Sequence, residues 1–383
     1  MNKKSPYKLY QAAAYDLSPD QLPQAAMSVF TKLERAGFLV YLVGGCVRDL
    51  LLRYQPKDFD FVTSARPDQI RALFRSKARI IGRRFPLAHV RMQQSIFDVS
   101  TFRSGNDSNS LIVRDNQWGT PEEDALRRDL TINALFYHPT SGEIIDYSGG
   151  MEDLFRKKLS VIGDPESRFL QDPVRMIRIL KLQSRLDDFS IPLKTKQIIK
   201  QCSGEIEKSS RARVTEEIFR GLELGNSSTF FDLLSRYGLL KKIFPAFDKP
   251  LKKHKKLTHQ FLKSVDLFSQ QFPKRTLPRS VLLAVLLLPC ILSDPERDRG
   301  DMLDELFQGN YQIPNKVRTA TLQILRLHKA MSKASNRRVE SIARAEYFTQ
   351  AVQILAIRTM TDERLEPALV FWKGVRDELE NET

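Results

Sequence analysis

In residues 41–62, YLVGGCVRDLLLRYQPKDFDFV, two kinds of residue could do chemistry together. An apolar run ends in Gly44 and Gly45, with Arg48 close behind, and Asp58 and Asp60 follow within a second apolar stretch. Side chains alternate along a strand, so Asp58 and Asp60 point to one face about 7 Å apart. Backbone N–H groups at a glycine turn suit phosphate oxygens, and paired carboxylates suit a hard divalent cation. The pattern predicts metal-dependent chemistry on a nucleoside triphosphate. Gly44, Gly45 and Arg48 would take the phosphates, and Asp58 and Asp60 the metal. Asp98, central in SIFDVSTF, has the alternation of a third carboxylate and equally that of an edge-strand charge. Taken singly these signals are weak, because most glycine pairs are turns and acidic pairs commonly sit on a solvated face.

The elements that must position these groups read as a mixed α/β domain. Residues 1–20 read as a loosely held arm. Residues 22–37 have helical spacing and end at Gly37 as a C-cap. Strands are expected over 38–45 and 57–63, a helix over 67–77, and two further strands within 78–103. Residues 104–119 are rich in Ser, Asn and Gly and read as a mobile loop. Thr120 then looks like an N-cap, with Pro121 at the first helical position and Glu123 completing a capping box. That helix is expected to carry Arg127, Arg128 and Asp129 into Asn133. A strand-turn-strand covers 134–146. After Gly149 and Gly150 no strand pattern returns. The rest reads as helical, broken near residues 245–250, 273–278, 289–295 and 314, where prolines fall.

Taken in order, GGCVRD, KDFDFV, RRDLTINAL, DYSGGMEDL and DPVRMIR resemble the bacterial branch of the nucleotidyltransferase superfamily. That branch is shared by CCA-adding tRNA nucleotidyltransferases and poly(A) polymerases. The resemblance runs from about residue 25 to about residue 225. It implies an α+β nucleotidyltransferase head, a mixed sheet with helices, followed by an all-α neck, body and tail. The corresponding boundaries are an arm over 1–24, a catalytic head over 25–148, a base-recognising neck over 149–235 and an RNA-binding body and tail over 236–383. It also implies that Arg127, Arg128, Asp129 and Asn133 handle ribose and triphosphate, as guanidinium groups and a hydroxyl-accepting carboxylate can.

By the same resemblance, Asp172 and Arg175 would read the adenine edge, braced by Arg213 and Glu217. Gln171 stands where relatives commonly have Glu, and Leu130 where they usually have Phe. Asp146, Gly150 and Asp153 match a hinge segment and fit a turn and cap equally well. IIGRRFPLAHV, residues 80–90, is similar to a segment of bacterial poly(A) polymerases, with Arg83 and Arg84 near the nucleotide or the RNA end. His89 reads there as a buried, hydrogen-bonded histidine in preference to a catalytic base.

Composition agrees with a polyanionic partner. Formal net charge is +15 over 383 residues, with a pI near 9.7. Lys249, Lys252, Lys253, Lys255 and Lys256 form one basic run, and Arg326, Lys329, Lys333, Arg337 and Arg338 another. Phosphate contacts from such residues give affinity without sequence reading. Three distant cysteines make no disulfide framework or zinc spacing. No secretory signal is visible, and the run Val281–Leu288 is too short to span a bilayer, so a soluble, cytoplasmic protein without membrane partners is expected. The reading is an RNA 3′-end adenylyltransferase using ATP and Mg2+, with Mn2+ as the alternative metal. CCA addition to tRNA is the second reading, and a non-catalytic RNA-binding protein the third.

Overall fold

The computed structural model describes residues 6–82, 86–104, 117–245, 253–272, 276–296, 298–306, 313–332 and 338–381. The chain forms two compact units: Met1–Arg175 with Asp188–Ile198, and Met176–Asp187 with Ile199–Thr383.

The first unit is built on one eight-stranded sheet. Its strands are β1 (Lys8–Gln11), β2 (Val40–Val43), β3 (Asp60–Thr63), β4 (Ala78–Ile81), β5 (Leu87–Met92), β6 (Ser95–Thr101), β7 (Leu135–His138) and β8 (Glu143–Asp146). They lie in the order β1-β8-β7-β2-β3-β6-β5-β4. The β3–β6 pair is parallel and the other neighbours are antiparallel. Alternation sorts the side chains into two cores. Val40, Leu42, Phe61, Val90 and Val99 pack on one face with Val29, Phe30 and Ile70, which come from α1 (Gln24–Arg35) and α3 (Pro67–Phe74). Val43, Val62, Phe102 and Phe136 pack on the other with Ala125.

α1 forms because Ala25, Ala26, Val29, Phe30 and Leu33 recur at helical spacing and are all buried. It ends where Gly37 adopts φ +83° and Phe38 N–H donates back to the Leu33 carbonyl at 3.2 Å. α2 (Gly45–Leu51) follows β2 directly.

Several expectations change. Residues 8–11 are no loose arm: β1 pairs along its whole length with β8, and Ala12, Leu17 and Leu22 are buried behind it. The 78–103 stretch holds three strands, since β5 joins β4 and β6. β3 starts at Asp60, so Asp58 precedes the strand. α4 (Pro121–Leu126) has the expected capping box, with Glu123 N–H on Thr120 Oγ1 at 3.2 Å and Thr120 N–H on Glu123 Oε2 at 2.7 Å. It stops at Leu126, however, and Arg127 is its C-cap.

Four short helices follow β8: α5 (Gly150–Phe155), α6 (Pro165–Gln171), α7 (Val174–Arg185) and α8 (Leu193–Gln201). Asp146 caps α5. Its Oδ1 accepts from the N–H groups of Ser148, Gly149 and Gly150, and its Oδ2 from Met151. Thr131 Oγ1 donates to Asp153 Oδ2 at 2.7 Å. The DYSGGMED segment is thus a turn and cap in this fold.

In the second unit α9 (Arg211–Leu222), α10 (Ser227–Arg236) and α11 (Leu239–Ile243) lead into helices over Lys255–Gln271, Arg279–Ser293, Asn315–Met331, Phe348–Thr359 and Glu366–Asn381. No strand follows Asp146 among the described residues. The Arg279–Ser293 helix is buried from Ser280 to Ile291 and runs through Pro289, where a break was expected. Proline forfeits one backbone bond, which burial on this scale outweighs. Among the described residues, no helix is long and apolar enough to cross a membrane.

Candidate active site

Val43, the last residue of β2, pairs with Asp60, the first of β3. Gly44 follows with φ +83°, a conformation L side chains rarely adopt. A Cβ placed there would lie 3.6 Å from Asp60 Oδ2 and 3.8 Å from Arg128 Nη1. The glycine turn, the carboxylate and the guanidinium therefore converge on one point.

Strand register brings in two more groups. Asp98 of β6 lies beside Asp60, and His89 of β5 beside Asp98. Paired positions in neighbouring strands face the same way, so all three lie on the sheet face that also carries Val43 and Val62. β6 is an interior strand, which removes the edge-charge reading of Asp98. His89 Nε2 is 3.0 Å from Asp98 Oδ1, and both side chains are partly open to solvent, 37% and 49% exposed. His89 is thus hydrogen-bonded as expected but only partly buried, beside a carboxylate that solvent still reaches. Asp58 is exposed just ahead of β3.

Beneath the turn lies a polar network. Arg48 is buried, with Nη1 donating to Asn133 Oδ1 at 2.6 Å and Nε and Nη2 to Asp49 Oδ1 at 2.9 and 2.6 Å. Asn133 Nδ2 and Leu130 N–H donate in turn to Asp129 Oδ1 at 3.3 and 2.8 Å. Arg48, Asp129 and Asn133 thus brace one another below Gly45, whose absent Cβ would sit 3.4 Å from Arg48 Nη2.

Arg128 reaches the turn from the end of α4. Its Nε and Nη2 donate to Asp124 Oδ2 at 3.1 and 2.8 Å, and its guanidinium lies 5.6 Å over Phe136. Arg127 is 3.8 Å from Asp124 Oδ1. Around it gather Arg103, Arg128, Arg175 and Arg168. Burial first, then these four charges, pull the Arg127 guanidinium down to about 9. Burial and Arg175 pull Arg168 down to about 10. Five guanidinium groups against few carboxylates make a field whose natural complement is a polyanion.

Arg175 is buried, 3.9 Å from Asp172 Oδ2, and its Nη2 donates to the Arg127 carbonyl at 2.9 Å. Arg175, expected with Asp172 to read the base, is therefore anchored to the end of α4. Arg103 and Arg168 escaped the sequence reading. Arg168 carries one usable signal, its position four residues before Asp172 on a capped helix; Arg103 has none.

Arg213 belongs to the second unit, exposed on α9, and Glu217 one turn on pairs with Lys181 of α7. Lys253, Lys255 and Lys256 are exposed at the start of the Lys255–Gln271 helix, and Arg326, Lys329 and Arg338 are exposed further on. Arg83, Arg84, Lys249, Lys252, Lys333, Arg337 and most of the 104–119 loop lie outside the described residues.

Among the described residues no three His, Cys, Asp or Glu form a metal cluster by themselves. Mg2+ asks for less, since it keeps waters and takes one or two carboxylates plus substrate phosphates. Asp60 at the glycine turn, with the exposed Asp58 two residues ahead of it, fits that demand.

A family model described as "Poly A polymerase head domain" matches residues 40–160. One described as "Probable RNA and SrmB- binding site of polymerase A" matches residues 188–251. The fold and the first match define a nucleotidyltransferase head. Poly(A) polymerase I of Haemophilus influenzae is 40% identical over 62% of this chain and 54% of that protein. Poly(A) polymerase I of Escherichia coli O6:H1 is 33% identical over 94% of this chain and 83% of that protein. The crystal structure of the Bacillus stearothermophilus CCA-adding enzyme in complex with CTP superposes with a TM-score of 0.70 at 24% identity, over 95% of this chain and 83% of that one, a likeness of fold. The chain belongs to the bacterial poly(A) polymerase I family.

Proposed function

We propose that the chain is a template-independent RNA 3′-end adenylyltransferase that transfers AMP from ATP and releases pyrophosphate. The observation that carries this is that Asp60 Oδ2 and Arg128 Nη1 both border the space a Gly44 side chain would fill, at 3.6 and 3.8 Å from its absent Cβ. The choice of poly(A) over CCA addition is supported by the relative that spans 94% of the chain, a poly(A) polymerase I.

In this reading the triphosphate lies along the Gly44–Gly45 turn, with Arg128 and Arg127 facing its oxygens. Arg48, Asp129 and Asn133 keep the turn in shape from below, and Asp129 and Asn133 face the ribose. Asp172 and Arg175 read the base. Asp58 and Asp60 hold a divalent cation, Mg2+ or Mn2+, which when bound offsets charge on the α-phosphate and acidifies the RNA hydroxyl. Asp98, paired with His89, completes the carboxylate row. The 3′-oxygen bonds the α-phosphorus as the bond to the β-phosphate oxygen breaks, pyrophosphate leaves with the electron pair, and the hydroxyl proton passes to solvent. The exposed lysines Lys253, Lys255 and Lys256, with Lys252, Arg83 and Arg84 from outside the described residues, bind RNA phosphates. Arg213 braces the neck. The head, neck and body boundaries expected from the motifs belong to the same proposal, as does a cytoplasmic location.

The test supplies each labelled nucleotide with an unrelated RNA and with a tRNA lacking its last three bases. Long A tracts on both are expected; ordered C, C, A addition that stops would favour the CCA reading. Asp60→Ala should cost at least about a thousandfold in rate, since cation stabilisation is worth several kcal/mol and roughly 1.4 kcal/mol is about tenfold. Undiminished extension by that variant would sink both enzyme readings.

A further inference from the structure

We infer that Arg168 is a positioning residue that locks the base-reading arginine and the triphosphate arginines into one body. The inference rests on the nucleotide site proposed above. Arg168 lies on α6, and its Nη2 donates to two carbonyls at once, those of Arg127 at 2.5 Å and Arg128 at 2.6 Å. Its Nη1 donates to Gln171 Oε1 at 3.3 Å. The Arg127 carbonyl also accepts Arg175 Nη2 at 2.9 Å. One carbonyl therefore holds two like-charged side chains. One comes from α6, and the other is the base-reading residue at the start of α7.

This arrangement explains why α4 ends at Leu126 although its sequence could continue. The last carbonyls of a helix have no partner of their own and need outside donors. Arg168 Nη2 approaches the last of them, that of Leu126, at 3.4 Å while it and Arg175 bond the carbonyls just past it, and cations at a helix C-terminus are also favoured by its dipole. Arg127 and Arg128 then leave the helix axis, which lets Arg128 Nη1 reach the Gly44 turn. The clamp holds a strained cluster of charge, since the Arg168 and Arg175 guanidiniums repel each other as they share an acceptor. A bound triphosphate relieves that repulsion, so Arg168 couples phosphate occupancy to the placement of Arg175. Gln171 accepts from Arg168 without adding a further negative charge to the cluster.

The experiment compares the full-length chain with Arg168→Gln and Arg168→Lys, with Arg175→Gln as reference, in RNA extension with ATP and with CTP. Thermal melting of each variant accompanies the kinetics. Arg168→Gln should raise KM for ATP about tenfold and lower the ATP-over-CTP preference by a similar factor, because a misplaced recognition group costs that much. Arg168→Lys keeps a cation that can reach the carbonyls but loses the fork, and about a threefold change is expected in both quantities. It serves alone if the glutamine variant melts below the assay temperature. A fall in kcat with KM and nucleotide preference unchanged, in either folded variant, would make Arg168 merely structural and overturn the inference. If Arg175→Gln itself leaves nucleotide preference unchanged, it is the base-reading assignment that falls.

Discussion

Arg127 shows how burial and neighbouring charge prepare a group for its ligand. Its proton is held less tightly than in water, down to about 9, because burial and then four other arginines oppose the charge. A triphosphate offsets that opposition, so the gathered guanidiniums favour its binding. Substituting Arg127→Gln should raise KM for ATP while kcat holds, as steady-state kinetics would show. A Cys46 thiol pushed up to about 12 by burial and then by Asp60 has the opposite meaning. It is an inert packing group under the glycine turn, although it stands next to Gly45.

Elements meet in this fold through single close contacts. A Cβ on Gly150 would lie 2.3 Å from the Thr131 carbonyl oxygen, so α5 packs against residues 131–133 only because that side chain is absent. Gly150→Ala should destabilise the chain by about 1–3 kcal/mol in urea denaturation. Gly204→Ala, with nothing within 4 Å, is the matched control and should be neutral. In the second unit Arg279 joins its own helix to α9. It donates to Glu216 at 2.7 and 3.0 Å and to Glu223 at 2.8 Å, and lies 5.0 Å over Phe219. The Arg279 hydrogen bonds draw the Glu216 carboxyl down to about 2 from an ordinary 4.5. The folded value lies below the unfolded one, so this pairing stabilises fully above about 4.5 and is lost as pH falls through about 2. The stability gap between the native chain and Arg279→Gln, by urea denaturation, should shrink steadily across that window.

For the molecule as a whole, a net charge of +15 sets how it meets RNA. Sequence-blind phosphate contacts make affinity fall linearly in log salt, by about 0.7 per contact for a single strand. The double substitution Lys255→Gln with Lys256→Gln should lower RNA affinity uniformly across sequences. It should also flatten the salt dependence by about 1.4, as filter binding at several salt concentrations would show. An unchanged slope would place the RNA path elsewhere. KM for ATP should not move, since both lysines belong to the unit that does not contain the Gly44 turn.

The candidate residues for the chemistry could be read from the chain. Phosphate and metal chemistry admit few residue types, and turn and strand geometry are local, so Gly44 and Asp60 stood out together by type and spacing, while the choice between two readings of Asp98 waited on its register beside Asp60. The capping box at Thr120 and the end of α1 at Gly37 were legible for the same reason. β5 was not, because its hairpin to β6 turns at Gln93 with φ +54°, where no glycine or asparagine marks it. β1 was hidden too: an edge strand is held by backbone bonds that leave no apolar pattern. Strand order and helix packing, which join residues far apart in the chain, decided the remaining partnerships. They put His89 on Asp98, Asn133 on Arg48, and Arg168 on the carbonyls that end α4. Those pairings depend on distances through space that no spacing along the chain encodes.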